Sequence, residues 1–298
     1  MDIAILGCGY VGLELGRQLR DGDHTVIGVR RSAAGLDRIE DAGLAAVQAD
    51  VTDERTLRRI PDVDAVVFIA SSGGRGADAA RRIYVDGLET TIEHFGSREN
   101  PPDRLLYTSS TGVYGDHDGE WVDEETPIEP TTEKTAVLAE AERLARDRAA
   151  EYGIGGTVAR FAGLYGPDRY RLERYLDGPV TAGYLNMVHR EDAAGACRFL
   201  LTEAATKGEV VIIVDDEPVG KWTFADWLAE QCNTPAPAKE TIDERIARGD
   251  LSTAAERRLR TQKRCSNEKL RELGYELAYP TYCEGYRAAI RRYLEHSD

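Results

Sequence analysis

Lysine is nearly missing from this chain. Of its 38 basic side chains only six are lysine (Lys134, Lys207, Lys221, Lys239, Lys263 and Lys269), against 53 acidic residues and a formal charge of −15. Basic and acidic residues are interspersed, so no basic face exists to hold a phosphate backbone or an anionic bilayer, and nucleic-acid and membrane-surface roles are disfavoured. Acidic excess with few lysines is the composition of a protein that stays hydrated in concentrated salt, so a halophilic source is expected. Cysteine is sparse too: Cys8, Cys197, Cys232, Cys265 and Cys283 are far apart, odd in number and without CxxC or metal spacing, which predicts reduced thiols. The histidines (His24, His94, His117, His189 and His296) show no ligand pairing, and no metal is expected. No apolar run approaches bilayer length, and the chain enters an apolar segment at residue 3 with no room for a signal peptide. A soluble, cytoplasmic protein is expected.

What is present begins at once. Ile3, Ile5 and Leu6 form a short apolar run, Gly7, Gly9 and Gly12 follow, and Val11, Leu15 and Leu19 then repeat at helical spacing. Strand, glycine turn and helix in this order form the entry unit of a dinucleotide-binding fold. Gly7 permits the tight turn, Gly9 lets backbone approach a pyrophosphate, and Gly12 lets the helix pack close to the sheet. The free N–H groups of Tyr10, Val11 and Gly12 then supply the anion site. Cys8 lies inside this loop, where a helix N-terminus would lower a thiol pKa and create a redox switch; the alternative is a small residue filling space.

The second strand, at 25–29, is followed by Arg30, Arg31 and Ser32. A site built for NAD places an Asp or Glu there to accept from the ribose 2′-hydroxyl. A guanidinium instead pairs with a 2′-phosphate, so Arg30 and Arg31 favour NADP(H), with NAD(H) the alternative; surface arginines balancing an acidic chain are the competing explanation. Asp50 and Val51, after a third strand at 45–48, are placed to meet the adenine. Ala70, Ser71 and Ser72, after a fourth strand at 65–69, lie alongside the middle of the cofactor.

Helical patterns at 77–97 and 133–152 alternate with strands at 104–108 and 157–161. This alternation implies an α/β fold, a Rossmann-type doubly wound parallel sheet with a smaller C-terminal substrate lobe. Length and composition fit a nucleotide-binding domain over 1–165 and a substrate-binding lobe over 166–298, with a late strand near 210–214 that returns to the main sheet as one option. Pro and Gly cluster at 127–130, 163–183 and 234–237, marking excursions from the sheet.

Four ordered blocks carry a more specific resemblance. They are Thr108-Ser109-Ser110-Thr111-Gly112-Val113-Tyr114-Gly115, then Arg160-Phe161-Ala162-Gly163-Leu164-Tyr165-Gly166-Pro167, then residues 184–192, and finally 210–218. Together they resemble the extended short-chain dehydrogenase/reductases, the NAD(P)-dependent epimerase and dehydratase group. The resemblance implies that Ser110 hydrogen-bonds the substrate oxygen whose carbon exchanges hydride with the nicotinamide. It adds Phe161 and Gly163 to the cofactor-binding residues and implies a homodimer through the helices near 77–97 and 133–152.

One departure is plain. The family carries a Tyr-x-x-x-Lys pair on the helix after the serine strand, as base and pKa-lowering partner. Aligned on Pro130, Lys134 occupies the tyrosine place and Leu138 the lysine place, and no Tyr-x-x-x-Lys occurs anywhere in the chain. Glu142 matches the glutamate that follows the pair, and Tyr84 replaces the helix asparagine three before Gly87. This pattern resembles the atypical branch of the superfamily, which keeps the nucleotide site without the usual tetrad.

Chemistry would then fall to Ser110 with Tyr114 or Tyr84 as acid, assisted by Lys134, although a buried structural tyrosine is the competing reading. The acidic run Glu120 to Glu125, with Trp121, reads as a substrate lid or as a solvated turn. Arg160, Arg169, Arg171 and Arg174 are the counter-charges available to an anionic substrate. Two functions stay open. One is an NADP(H)-dependent oxidoreductase or epimerase-like enzyme acting on a small molecule, a nucleotide-sugar or another carbonyl or hydroxyl compound, with a substrate lobe through Trp222, Trp227 and Tyr275. The other is a non-catalytic NADP(H)-binding sensor or interaction protein.

Overall fold

A computed structural model describes residues 1–74 and 76–296. The chain divides into two compact units: residues 1–113, 130–161 and 190–213 form the first, and 114–129, 162–189 and 214 onward the second. The chain therefore crosses between units five times rather than once near residue 165, because segments from both halves return to the main sheet.

That sheet belongs to the first unit and has seven strands: β1 (Asp2–Leu6), β2 (Thr25–Arg30), β3 (Ala45–Gln48), β4 (Ala65–Phe68), β5 (Arg104–Ser110), β6 (Gly155–Phe161) and β7 (Val210–Ile213). Their order is β3-β2-β1-β4-β5-β6-β7, and every pairing is parallel. Order reverses between β1 and β4, which is where a doubly wound sheet opens a crevice at its carboxyl edge. In β1, Ile3, Ala4, Ile5 and Leu6 are all fully buried, as a strand covered on both faces requires.

The alternation of β1 assigns those faces. Ile5 meets α1 (Tyr10–Arg20) at Gly12 and Gly16, while Ala4 and Leu6 join a core with Ile83, Leu88, Val137 and Ala141 from the helical runs 77–96 and 133–151. α1 turns Val11, Leu15 and Leu19 inward and also lies against the helix Arg190–Thr202, where Gln18 donates to the Glu191 carbonyl at 3.1 Å. Both helical runs on the other face are interrupted by a π-helical turn, at Arg82–Asp86 and at Leu144–Arg148. Buried Arg104 ties β5 to its neighbours by donating to the Leu200 and Glu203 carbonyls and to the Thr206 hydroxyl.

The second unit holds short strand pairs rather than a sheet. Trp121–Val122 pairs with Arg264–Cys265, Met187–His189 with Gly163–Tyr165, Tyr184–Leu185 with Val219–Gly220, and Val180–Thr181 with Lys239–Glu240. Its core is aromatic: Tyr165 stacks on Tyr286 at 4.9 Å, and Phe224 meets Tyr175, Tyr282 and Tyr286 edge-on. Trp227 joins this core and Trp222 donates from Nε1 to the Val180 carbonyl at 2.8 Å, so both tryptophans of the expected substrate lobe have structural work.

Candidate dinucleotide and reaction site

The glycine loop follows β1 without slack. The Gly7 and Cys8 amides both donate to the Val29 carbonyl, at 3.1 and 3.2 Å, and Gly7 has φ +90°. A Cβ on Gly7 would lie 2.3 Å from the Ala70 Cα, so the loop and the segment after β4 are in backbone contact, and only glycine fits. Gly9 caps α1 with no side-chain bond to its amides. The start of α1 thus has no side-chain cap, and it is the positive end of the helix dipole, where an anion is favoured. Tyr10 lies over Arg190 at 5.2 Å, and Arg190 in turn pairs with Glu14 at 3.6 Å.

Cys8 is corrected by this geometry. Its thiol is 2% exposed, and burial pushes its pKa up to about 12, with the Arg30 charge opposing too weakly to matter. It fills space under the loop and is no redox switch.

Beside the loop a cavity of about 470 Å³ opens, lined by Gly7, Val29, Arg30, Arg31, Ser32, Ala49, Val51, Ala70, Ser71, Gly73 and Ile83. Of the residues read from the sequence after β2, β3 and β4, Arg30, Arg31, Ser32, Val51, Ala70 and Ser71 line this one space in the first unit, and Asp50 and Ser72 do not. Arg30 lies across the glycine loop, with Nη1 2.9 Å from the position of a Gly9 Cβ. Arg31 is exposed and pairs with Asp50 at 3.4 Å. Burial works against the Asp50 carboxylate, but the Thr52 amide and hydroxyl and Arg31 outweigh it and hold its pKa below the usual range. Among the residues around this cavity, the end of β2 carries two cations where a carboxylate would mark an unphosphorylated ribose. The cradle at Gly7, the uncapped start of α1 and the cavity fit a dinucleotide.

At the end of β5, Ser110 is partly exposed, and its hydroxyl accepts from the Gly112 amide at 3.2 Å, capping the 3-10 turn Thr111–Tyr114. Among the described residues its own proton has no acceptor and is left to donate. Lys134 is exposed, one residue into the helix Glu133–Arg143, whose start is fixed by a reciprocal Thr132–Thr135 capping box; Leu138 is buried. Arg160 is corrected as a substrate counter-charge. It is 5% exposed and clamps the buried Glu142 from Nε at 3.1 Å and Nη2 at 2.7 Å. Phe161 is buried at the end of β6.

In the second unit, Tyr114 is fully buried, and its carbonyl accepts from His117 Nε2 at 2.9 Å, which makes Nε2 the protonated nitrogen. Gly163 donates its amide to the Asn186 carbonyl. The acidic run resolves into a pinned edge. Trp121, 52% exposed, lies over the Arg264 guanidinium, which also faces Tyr184, while Asp123 closes a turn with Thr126 at 2.8 Å. Arg174 lies over the Tyr175 ring at 5.9 Å. Lys263 was not singled out from the sequence, yet it is 8% exposed with its ammonium 3.0 Å from the Gly115 carbonyl. Burial draws its pKa down against the opposing charges of Cys265 and Asp116. Its scarcity as one of six lysines was the available signal.

A profile of the NAD-dependent epimerase/dehydratase family matches residues 3–214, which spans the glycine loop, Ser110 and β7. The chain belongs to the NAD-dependent epimerase/dehydratase family. Among curated members, it is 27% identical to Protein YeeZ of Escherichia coli K12 over 285 residues, covering 93% of this chain and 96% of that one. It is 28% identical over 163 residues to a dTDP-glucose 4,6-dehydratase of Mycobacterium tuberculosis, 53% of this chain and 48% of that protein. The solved structure of a putative NAD-dependent epimerase/dehydratase from Methylobacillus flagellatus superposes with a TM-score of 0.78 at 30% identity, covering 99% of this chain and 98% of that one. UDP-glucose 4-epimerase of Thermotoga maritima gives a TM-score of 0.81 at 18% identity, which speaks to the fold. The chain is accordingly an enzyme of the epimerase/dehydratase kind, with a Rossmann-type sheet.

Proposed function

We propose that this member of the family is an NADP(H)-dependent oxidoreductase or epimerase/dehydratase-like enzyme acting on a small carbonyl or hydroxyl compound, a nucleotide-sugar among them, without the Tyr-x-x-x-Lys pair. The observation that carries the cofactor preference is the placement of Arg30 and Arg31 on the cavity after β2. Gly7, Gly9, Tyr10, Val11 and Gly12 would hold the pyrophosphate, Asp50 and Val51 the adenine, and Ala70, Ser71, Ser72, Phe161 and Gly163 the remainder. The bound nicotinamide supplies or accepts hydride. Ser110 donates a hydrogen bond to the substrate oxygen and so polarises the carbon that reacts, while Tyr114 and Lys134 are the candidate acid–base residues from the sequence.

Titration calorimetry tests the preference. A charged pairing contributes about 1.5–3 kcal/mol, so Arg30→Ala with Arg31→Ala is expected to weaken NADPH far more than NADH; equal losses would remove the basis for NADP. Ser110→Ala is expected to lower turnover by about 10²–10³ with NADPH affinity retained. Oxidation of bound NADPH by a panel of carbonyl compounds tests the enzyme itself, and silence across that panel, with NADPH bound, would return the chain to a sensor role.

A further inference from the structure

The missing acid–base pair leaves a vacancy in the chemistry, and one phenol of the first unit is built toward it. Tyr84 lies inside the π-helical turn Arg82–Asp86, a local widening of the helix that recurs at functional sites. Its ring is partly buried against the core, and its hydroxyl accepts the Ser72 amide at 3.3 Å. That bond uses the oxygen as acceptor. Among the described residues the Tyr84 proton has no acceptor, so it is free to be given away.

Position then distinguishes Tyr84 from the other phenols of this unit. A doubly wound sheet binds a dinucleotide as two halves. Arg30 to Ser32 and Asp50 to Val51 belong to the half built on β1, β2 and β3, which leaves the nicotinamide half to the strand ends of β4, β5 and β6. Tyr84 reaches Ser72, just past β4, and packs against the core that contains Tyr107 of β5. Its chain neighbour Ile83 lines the cavity where Ala70, Ser71 and Gly73 adjoin Arg30 to Ser32 and Val51 of the first half. Tyr107 is fully buried, and burial together with the Glu142 carboxylate pushes its pKa well up, so it stays protonated. Tyr10 is stacked at the start of α1 and Tyr152 follows the far end of the 133–151 run.

We propose that Tyr84 presents its hydroxyl to the nicotinamide half of the dinucleotide site and is the phenol that exchanges a proton with the substrate oxygen. This rests on the NADP(H)-dependent reading above and replaces Tyr114 as the acid. In the reducing direction the carbonyl carbon receives hydride from the reduced nicotinamide and the Tyr84 proton passes to the carbonyl oxygen. The phenolate left behind regains a proton from water. Oxidation of an alcohol runs the same steps in reverse.

The test uses the full-length protein labelled with [¹³Cζ]tyrosine, with Tyr84→Phe identifying the Tyr84 resonance. Saturation is monitored by calorimetry on the same sample, first with NADP⁺ and then with NADPH. The Tyr84 signal is expected to move in both complexes and to differ between them, because the nicotinamide ring is cationic only when oxidised; the Tyr152 signal is expected to stay put. On any carbonyl compound that oxidises bound NADPH, Tyr84→Phe is expected to lose about 10²–10⁴-fold in turnover while NADPH affinity is little changed. A Tyr84 signal identical in the two complexes would overturn the proposal and leave cofactor binding standing. Absence of binding heat for both NADP(H) and NAD(H) would overturn the underlying reading and this proposal together.

Discussion

Position 8 places a thiol under a helix N-terminus, where two effects compete. The dipole and Arg30 favour thiolate, but removal from water favours thiol, and with 2% exposure the second wins. Native protein treated with a disulfide reagent at pH 8 should leave Cys8 unmodified, and Cys197, Cys232 and Cys265 as well, since all four are buried. Rapid labelling of Cys8 before unfolding would show that the loop opens more than its hydrogen bonds allow. Glu142 presents the opposite case, a buried carboxylate clamped by the Arg160 guanidinium. Arg160→Ala strands that carboxylate and is expected to cost about 3–5 kcal/mol in a denaturant titration. A loss near zero would mean that water reaches Glu142. Neither outcome was legible from residue type alone. A guanidinium two residues from a glycine-rich bend reads as exposed and available, and only the packing of β6 against the 133–151 run removes it from solvent.

At the level of elements, legibility follows the range of the forces involved. β1, the glycine turn and α1 are readable because each is defined by neighbours within a few residues, and burial on both faces leaves an unbroken apolar signal. The π-helical turns are invisible in sequence, since one extra residue barely alters the apolar spacing. One of them holds Tyr84, which the sequence names both as a substitute for the family asparagine and as a candidate acid. The burial of Lys263 is likewise non-local, created when residues 262–265 pair with 117–122. The two loop glycines now separate into different roles. Gly7→Ala forces a Cβ onto the Ala70 backbone at positive φ and should lower stability measurably as well as cofactor binding. A Gly9 Cβ meets only the movable end of Arg30, so Gly9→Val should stay folded and lose NADPH. Equal thermal stability of the Gly7 variant and wild type would show that β4 and the loop can part at little cost.

For the whole molecule, charge dominates. Fifty-three acids against 38 bases leave −15 on 298 residues, and that net charge opposes association of like copies. The homodimer expected through the helices near 77–97 and 133–152 meets this field directly. Those runs spend opposite charges on each other, with Arg81 and Glu140 paired at 2.6 Å and Arg148 bridging to Glu93 at 2.7 Å, yet acids still outnumber bases along them, so the repulsion between copies is not relieved there. The same repulsion acts inside each copy, between carboxylates that folding brings together. Salt weakens it over a defined range: screening extends about 10 Å at 0.1 M and about 3 Å at 1 M. Carboxylates separated by roughly 5–10 Å therefore stop repelling one another only as salt approaches molar concentration. The midpoint of thermal unfolding is expected to climb steadily from about 0.1 M to above 1 M KCl. Light scattering over the same series should show dimer gaining on monomer as the field collapses. A stability optimum below about 0.2 M, where these charges are still weakly screened, would show that paired arginines already neutralise the surface and that the acidic excess serves something other than salt.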